Sequence, residues 1–301
     1  MKIAVTGSNG FIGSALVPLL TTGGHTVIRL VRAPRGGREQ EIIWNPPAGA
    51  SQLSALEGID AVVHLAGEPI AKGRWTAQKK AQIQESRVQG TRILSEALAK
   101  LTKPPKALVT ASAIGYYGDR GETILEEHSP QGSGFLAELC RQWEAAANPA
   151  RQRGIRVVNV RIGVVLSPAG GALKMMLPPF QLGLGGTLGS GRQYMSWIAM
   201  DDVLGGILHA ATAEKLQGPV NLVSPNPVTN REFTKTLGRV LSRPTIFPVP
   251  PFALRLMLGQ LADEALLASA RVVPSRLSSA GYAFRYPTLE GALRHLLRRT
   301  E

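Results

Sequence analysis

The sequence predicts an α/β protein: a Rossmann-type, doubly wound parallel sheet with a smaller, mainly C-terminal α/β lobe. Short apolar, β-branched runs alternate with stretches of helical periodicity through the first two thirds of the 301 residues, the pattern of successive β-α-β units. A glycine-rich turn, Gly7 to Gly13, separates the first such run from the first helical stretch. Past Gly163 the rhythm gives way to a segment rich in glycine and proline, with shorter elements after it.

Strands are expected at Lys2–Val5, Thr26–Val31, Ala61–His64, Ala107–Ala111 and Arg156–Ile162. Helices are expected between them, around Phe11–Leu20, Gln78–Leu101 and Phe135–Arg151. Beyond the boundary, a helix is expected near Asp202–Ala213, a strand at Val220–Val223 and a helix at Asn230–Leu241. The run Pro248-Val249-Pro250-Pro251 reads as a turn before a mostly helical tail. The division is therefore residues 1–163 as the nucleotide domain, with some later segments returning to it, and 164–301 as the smaller lobe.

The turn carries the chemistry most directly. In Thr6-Gly7-Ser8-Asn9-Gly10-Phe11-Ile12-Gly13, Gly7 permits a tight turn and Gly10 lets backbone approach a pyrophosphate. Gly13 allows the helix to pack closely on the strand. The helix start then offers free N–H groups and the positive end of its dipole to phosphate. An NAD site usually has a carboxylate at the end of the second strand, yet no acidic residue precedes Glu39. Arg32 ends that strand, with Arg35 and Arg38 close behind. A guanidinium there suits the 2′-phosphate of NADP(H), which a carboxylate would repel. Arg29 is expected to face solvent.

The chain carries 34 Lys and Arg against 21 Asp and Glu, a formal charge of +13. The basic residues are scattered, with no run of five and no interleaved aromatics, so nucleic acid is not an expected partner. No apolar stretch is long enough to span a bilayer. The single Cys140 excludes an internal disulfide and offers no metal-ligand spacing, so no metal is expected. A strand beginning at Lys2 and a lone cysteine together suggest a cytoplasmic setting. Asp201-Asp202 reads as a helix cap, and His64, His209 and Cys140 as packing residues.

The glycine turn, with His64-Leu65-Ala66-Gly67 after a later strand, resembles the extended short-chain dehydrogenases/reductases. Glu85-Ser86-Arg87, Trp143-Glu144-Ala145-Ala146-Ala147, Arg161-Ile162-Gly163-Val164-Val165-Leu166, the glycine loop from Gly183 through Gln193, Trp197-Ile198 and Gly281-Tyr282-Ala283-Phe284-Arg285-Tyr286-Pro287 narrow the likeness. They resemble an atypical branch of epimerase-family proteins with a C-terminal domain of unknown function. Its plant and cyanobacterial members are labelled cell-division inhibitors. The resemblance implies that Leu65, Ala66, Gly67 and Glu68 line the cofactor cleft with Arg87, and with Gln82 where relatives can carry Glu. Arg161, at a strand end on the ligand edge of the sheet, either grips an anion or fixes a loop through backbone carbonyls.

The same superfamily uses a Tyr and, four residues on, a Lys for proton transfer and ribose binding. None of the five tyrosines here has Lys at that spacing. Aligned on Glu144, Leu136 stands where the Tyr belongs and Cys140 where the Lys belongs. Ser112 remains at the superfamily's serine position, and Tyr116 and Tyr117 are the nearest substitute acids, with loop packing an equal alternative for both. Two functions follow, besides a basic nucleic-acid or membrane-surface binder that would rest on charge alone. One is an NADP(H)-dependent oxidoreductase or epimerase-like enzyme acting on a small molecule of unknown identity. The other is an NADP(H)-binding regulator with little turnover, acting through a protein partner.

Overall fold

The computed structural model describes residues 1–33, 40–46, 53–71 and 73–298. Arg35 and Arg38 lie outside them. In chain order the N-terminal half runs β1 (Lys2–Thr6), α1 (Gly13–Thr22), β2 (Thr26–Val31), β3 (Gln40–Ile43), β4 (Ala61–His64), α2 (Ala77–Ala99) and β5 (Ala107–Ala113). It continues through β6 (Ile124–Leu125), α3 (Phe135–Ala145), α4 (Asn148–Gln152) and β7 (Arg156–Ile162).

Next come β8 (Val164–Leu166), α5 (Gly171–Gln181), β9 (Tyr194–Met195), β10 (Trp197–Ala199), α6 (Met200–Thr212) and β11 (Gly218–Leu222). The chain then passes through β12 (Val228–Thr229), α7 (Asn230–Leu241) and α8 (Pro251–Leu258). Last are β13 (Arg271–Val272), α9 (Ser275–Ser279) and α10 (Leu289–Leu296).

Seven strands form one parallel sheet in the order β11-β7-β5-β4-β1-β2-β3. The chain starts in the middle of the sheet, winds outward to β3, and returns to β4 on the other side of β1. This reversal opens a crevice between the C-terminal ends of β1 and β4, where open α/β sheets place ligands. The central strands are largely apolar and buried because both faces are covered. Ile3 and Val5 of β1 join a core with α1 and α6, while Ala4 joins the opposite core with α2 and α4.

Two features depart from the sequence expectations. β3 was not among the expected strands. The single helix expected over Phe135–Arg151 divides into α3 and α4, with Pro149 in the first turn of α4. Proline lacks an N–H and disfavours helical geometry in the residue before it, so the helix restarts there. The edge strand of the large sheet, β11, comes from beyond residue 163.

Asp202 does not cap α6, whose N-cap is Ala199. Its buried carboxylate instead accepts hydrogen bonds from the backbone of Arg285 (2.8 Å) and Tyr286 (2.9 Å) and from the Tyr282 hydroxyl (3.1 Å). That contact fixes the Gly281–Pro287 motif against the nucleotide half. The smaller lobe has its own core, centred on Trp197, Phe233, Leu237 and Leu293. No helix among the described residues is long and apolar enough to cross a membrane.

Candidate functional site

The crevice is built by backbone passing very close to backbone. Gly7 has φ +65°, and a Cβ on it would lie 2.7 Å from the carbonyl carbon of Leu65. A Cβ on Gly13 would fall 2.2 Å from the Gly7 oxygen. Gly10 differs, since its Cβ would meet only that oxygen, at 3.1 Å, and otherwise open space. The turn thus packs inward at Gly7 and Gly13 and leaves room outward at Gly10, as an approaching phosphate requires. Ser8 is buried, Asn9 is exposed, and Ile12 is half-buried at the start of α1. The Phe11 ring lies against the Gly170–Gly171 backbone, joining the turn to α5.

Arg29 does not simply face solvent. Paired with Val5 across β1 and β2, it reaches over the turn, donating to Ser8 Oγ (3.3 Å) and to Asn9 Oδ1. Arg32 follows β2 with its side chain exposed. The Arg29 guanidinium thus lies over the turn, a placement that strand periodicity alone does not show.

Across the crevice, Thr6 Oγ1 accepts from the backbone N–H of Leu65 (3.1 Å) and Ala66 (3.2 Å). Its proton must then point to His64 Nδ1, 2.7 Å away. His64 carries its own proton on Nε2 and donates to Thr91 Oγ1 at 3.0 Å, which also accepts from Trp143 Nε1 at 2.9 Å. This relay runs through the core from α3 to the loop after β4. Burial pulls the His64 imidazole down to about 4, so it is neutral at pH 7.

The next residues are held from α2. Glu68 N donates to Ser86 Oγ (3.0 Å), its carbonyl accepts from Arg87 Nη1 (2.8 Å), and its carboxylate meets Lys79 Nζ at 2.5 Å. The Arg87 guanidinium also lies beside Gly67 and over the Trp143 ring. Gln82 is exposed on α2, one turn after Lys79 and one before Ser86. Lys79 was missed in the sequence, where only the Glu85-Ser86-Arg87 part of this helix had a recognisable motif.

At the next strand ends the residues expected to carry chemistry are tied to one another. Ser112 Oγ donates to Glu144 Oε1 at 2.7 Å. Arg161, register partner of Ser112, grips the same carboxylate through Nε (2.8 Å) and Nη2 (2.9 Å). Its Nη1 donates to the Tyr117 hydroxyl (2.9 Å) and the Glu127 carbonyl (3.2 Å). Of the two roles open to Arg161, its contacts are those of loop fixation, and its side chain is only 3 % exposed. Burial opposes its charge, but Glu144 more than offsets this and holds the guanidinium above its ordinary value.

Tyr117 is fully buried, its hydroxyl 2.6 Å from Asn221 Oδ1, and burial pushes it up to about 12 despite the nearby Arg161. Tyr116 is half-buried, with the Arg161 guanidinium 3.5 Å from its ring centre. Cys140 is buried and its thiol is pushed up to about 12, chiefly by burial. Leu136 packs beside Gly115. The Glu264 carboxylate, from the smaller lobe, caps α3 by accepting from the backbone of Phe135 (3.1 Å) and Leu136 (2.8 Å).

Sheet order, crevice and glycine turn define a Rossmann-type α/β protein of the dinucleotide-fold class. More narrowly, the chain belongs to the NAD dependent epimerase/dehydratase family, whose model matches residues 3–222. Residues 249–296 match a domain of unknown function, DUF1731. An epimerase family protein of Mycobacterium bovis is 47 % identical over 291 residues, covering 97 % of this chain and 96 % of that one. The epimerase family protein SDR39U1 of Homo sapiens is 38 % identical over 300 residues, covering 99 % and 100 %. The crystal structure of the human protein (isoform 2) with NADPH superposes with a TM-score of 0.90 at 36 % identity, covering all of both chains. The resemblance drawn from the motifs thus extends over the whole chain.

The His64 relay gives a pH prediction. Its folded value lies below the ordinary 6.5, so the unfolded chain binds the proton more readily. Stability contributed by neutral His64 is complete above about pH 6.5 and is lost as pH falls towards 4, by about 3 kcal/mol. Chemical denaturation across this window should show that loss in the parent and a flatter profile in His64→Gln. Equal slopes would mean that His64 is not the titrating group.

Proposed function

We infer that the chain binds NADP(H) in the β1/β4 crevice and lacks the acid–base half of the usual dehydrogenase or epimerase site. The observation that carries this reading is the open side of Gly10, with the Arg29 guanidinium over the turn and an exposed Arg32, rather than a carboxylate, following β2. The human relative's crystallisation with NADPH supports the choice of dinucleotide. The turn from Gly7 to Gly13 would hold the pyrophosphate, Arg32 the 2′-phosphate, and Leu65 to Glu68 with Arg87 the opposite wall. When bound, NADPH supplies a hydride from its nicotinamide.

The chain's own groups are poorly disposed to move the accompanying proton. Leu136 has none to give, and the Cys140 thiol is buried and hard to ionise. The Ser112 proton is committed to Glu144, and Tyr117 is enclosed. Tyr116 is the remaining hydroxyl at the strand ends and the residue we assign to proton transfer should any occur. The regulatory reading, in which NADP(H) binding is signalled to a protein partner, draws on the same observations. The single cysteine agrees with a cytoplasmic setting for either.

NADPH should bind more tightly than NADH, and Arg32→Glu should weaken NADPH by roughly tenfold to a hundredfold, the worth of a charge-assisted contact. Equal affinities of the parent for both dinucleotides, measured by calorimetry, would contradict the assignment.

Turnover of UDP-glucose and other nucleotide sugars should be absent or about 10²–10⁴-fold below that of enzymes with the Tyr/Lys pair, the usual worth of general acid–base help. Robust epimerisation would overturn this claim. Its survival in Tyr116→Phe would further remove that hydroxyl from the chemistry.

A further inference from the structure

The large apolar side chains left in solvent are concentrated in one region. Of the eleven most exposed among the described residues, eight lie between Met175 and Met257. Leu182, Leu184, Ile246, Phe247, Phe252 and Leu256 are each more than half exposed, up to 75 % for Leu182. They protrude rather than line a cavity. The segments carrying them run side by side. Phe247 N donates to the Gly185 carbonyl (3.4 Å), Val249 N to that of Thr187 (2.8 Å), and Gly189 N to that of Val249 (2.9 Å). Pro250 then leads directly into α8, whose Leu254 is buried while Phe252, Leu256 and Met257 point outward.

Charge on these segments is one-sided. Residues 165–200 and 233–262 contain no Asp or Glu and six Lys and Arg. Three of the six sit within the apolar face. Lys174 neighbours Met175, Arg255 neighbours Leu256, and Arg243 donates to the carbonyl of Gln181, next to Leu182. Arg255 is paired with Asp263, whereas Lys174 and Arg243 meet no carboxylate among the described residues. A chain of charge +13 thus presents an apolar ridge set among cations.

We propose that this face of the smaller lobe docks on an anionic lipid bilayer, with its apolar side chains in the headgroup–acyl boundary and Lys174 and Arg243 on lipid phosphates. Apolar protrusions supply the transfer term, and Lys174 and Arg243, which no carboxylate neutralises among the described residues, are drawn to a negative surface. A neutral protein partner would match the ridge but leave the cations unexplained, whereas an anionic bilayer supplies both an apolar boundary and phosphates. Docking of this kind is peripheral and requires no spanning helix.

Flotation of the full chain with vesicles tests it. Vesicles of equal parts phosphatidylglycerol and phosphatidylcholine should carry the protein upward at low salt, and phosphatidylcholine alone should not. Phe252→Ser with Leu256→Ser should weaken binding by at least about tenfold through lost apolar insertion, and Lys174→Glu with Arg243→Glu by a similar factor. Leu182→Ser, on a separate loop, should weaken it independently of α8. These side chains are exposed, so the unfolding temperature should not change. A parent that stays in solution with anionic vesicles would overturn the proposal. So would undiminished binding by the serine variants, or a parent dimer that those substitutions dissociate, since the face would then join two chains.

Discussion

Gly7 and the Leu65 carbonyl carbon approach so closely that no side chain fits between the two loops, and the rest of the crevice depends on this contact. A side chain at position 7 would part β1 from β4 where the sheet changes direction. With the gap closed, the Thr6 hydroxyl can collect the N–H groups of Leu65 and Ala66 and pass its own proton to His64. The relay to Thr91 and Trp143 then fixes both walls of the crevice from within the core. Buried polar chains of this kind stabilise only when every member is satisfied, and here each has its partner.

A second set of contacts holds the segments around the remaining strand ends and the tail motif in place. Glu264 caps α3 at Leu136, Asp202 anchors the tail motif, and Arg161 joins Glu144, Tyr117 and the Glu127 carbonyl into one buried cluster. Buried charges are tolerated when paired and fully hydrogen-bonded, and such pairs favour one arrangement over others more than they add stability. Ser112 and Tyr117 are tied in the same way, to Glu144 and Arg161.

Much of the fold was legible because parallel strands buried on both faces read as unbroken apolar runs, and the glycine turn is local. β3 escaped notice because Gln40 and Glu41 occupy half of its four residues. The role of Arg29 depends on register, since only its pairing with Val5 brings it to the turn, and strand periodicity alone sends it to solvent. Tyr117 looked available because the groups that enclose its hydroxyl, Arg161 and Asn221, are far away in sequence. Glu144 served as an alignment landmark, and its hold on Ser112 appeared only in three dimensions. Local geometry and periodicity can be read from a chain. Long-range hydrogen-bond partners cannot.

The central claim is that the open side of the glycine turn receives the dinucleotide phosphates. Calorimetric titration of Gly10→Val with NADPH, alongside the parent, tests it most directly, because the new side chain enters that space while the inward packing at Gly7 and Gly13 is untouched. The account predicts that the parent binds NADPH and that the variant does not, at little change in unfolding temperature. Normal NADPH binding by a folded Gly10→Val would contradict it.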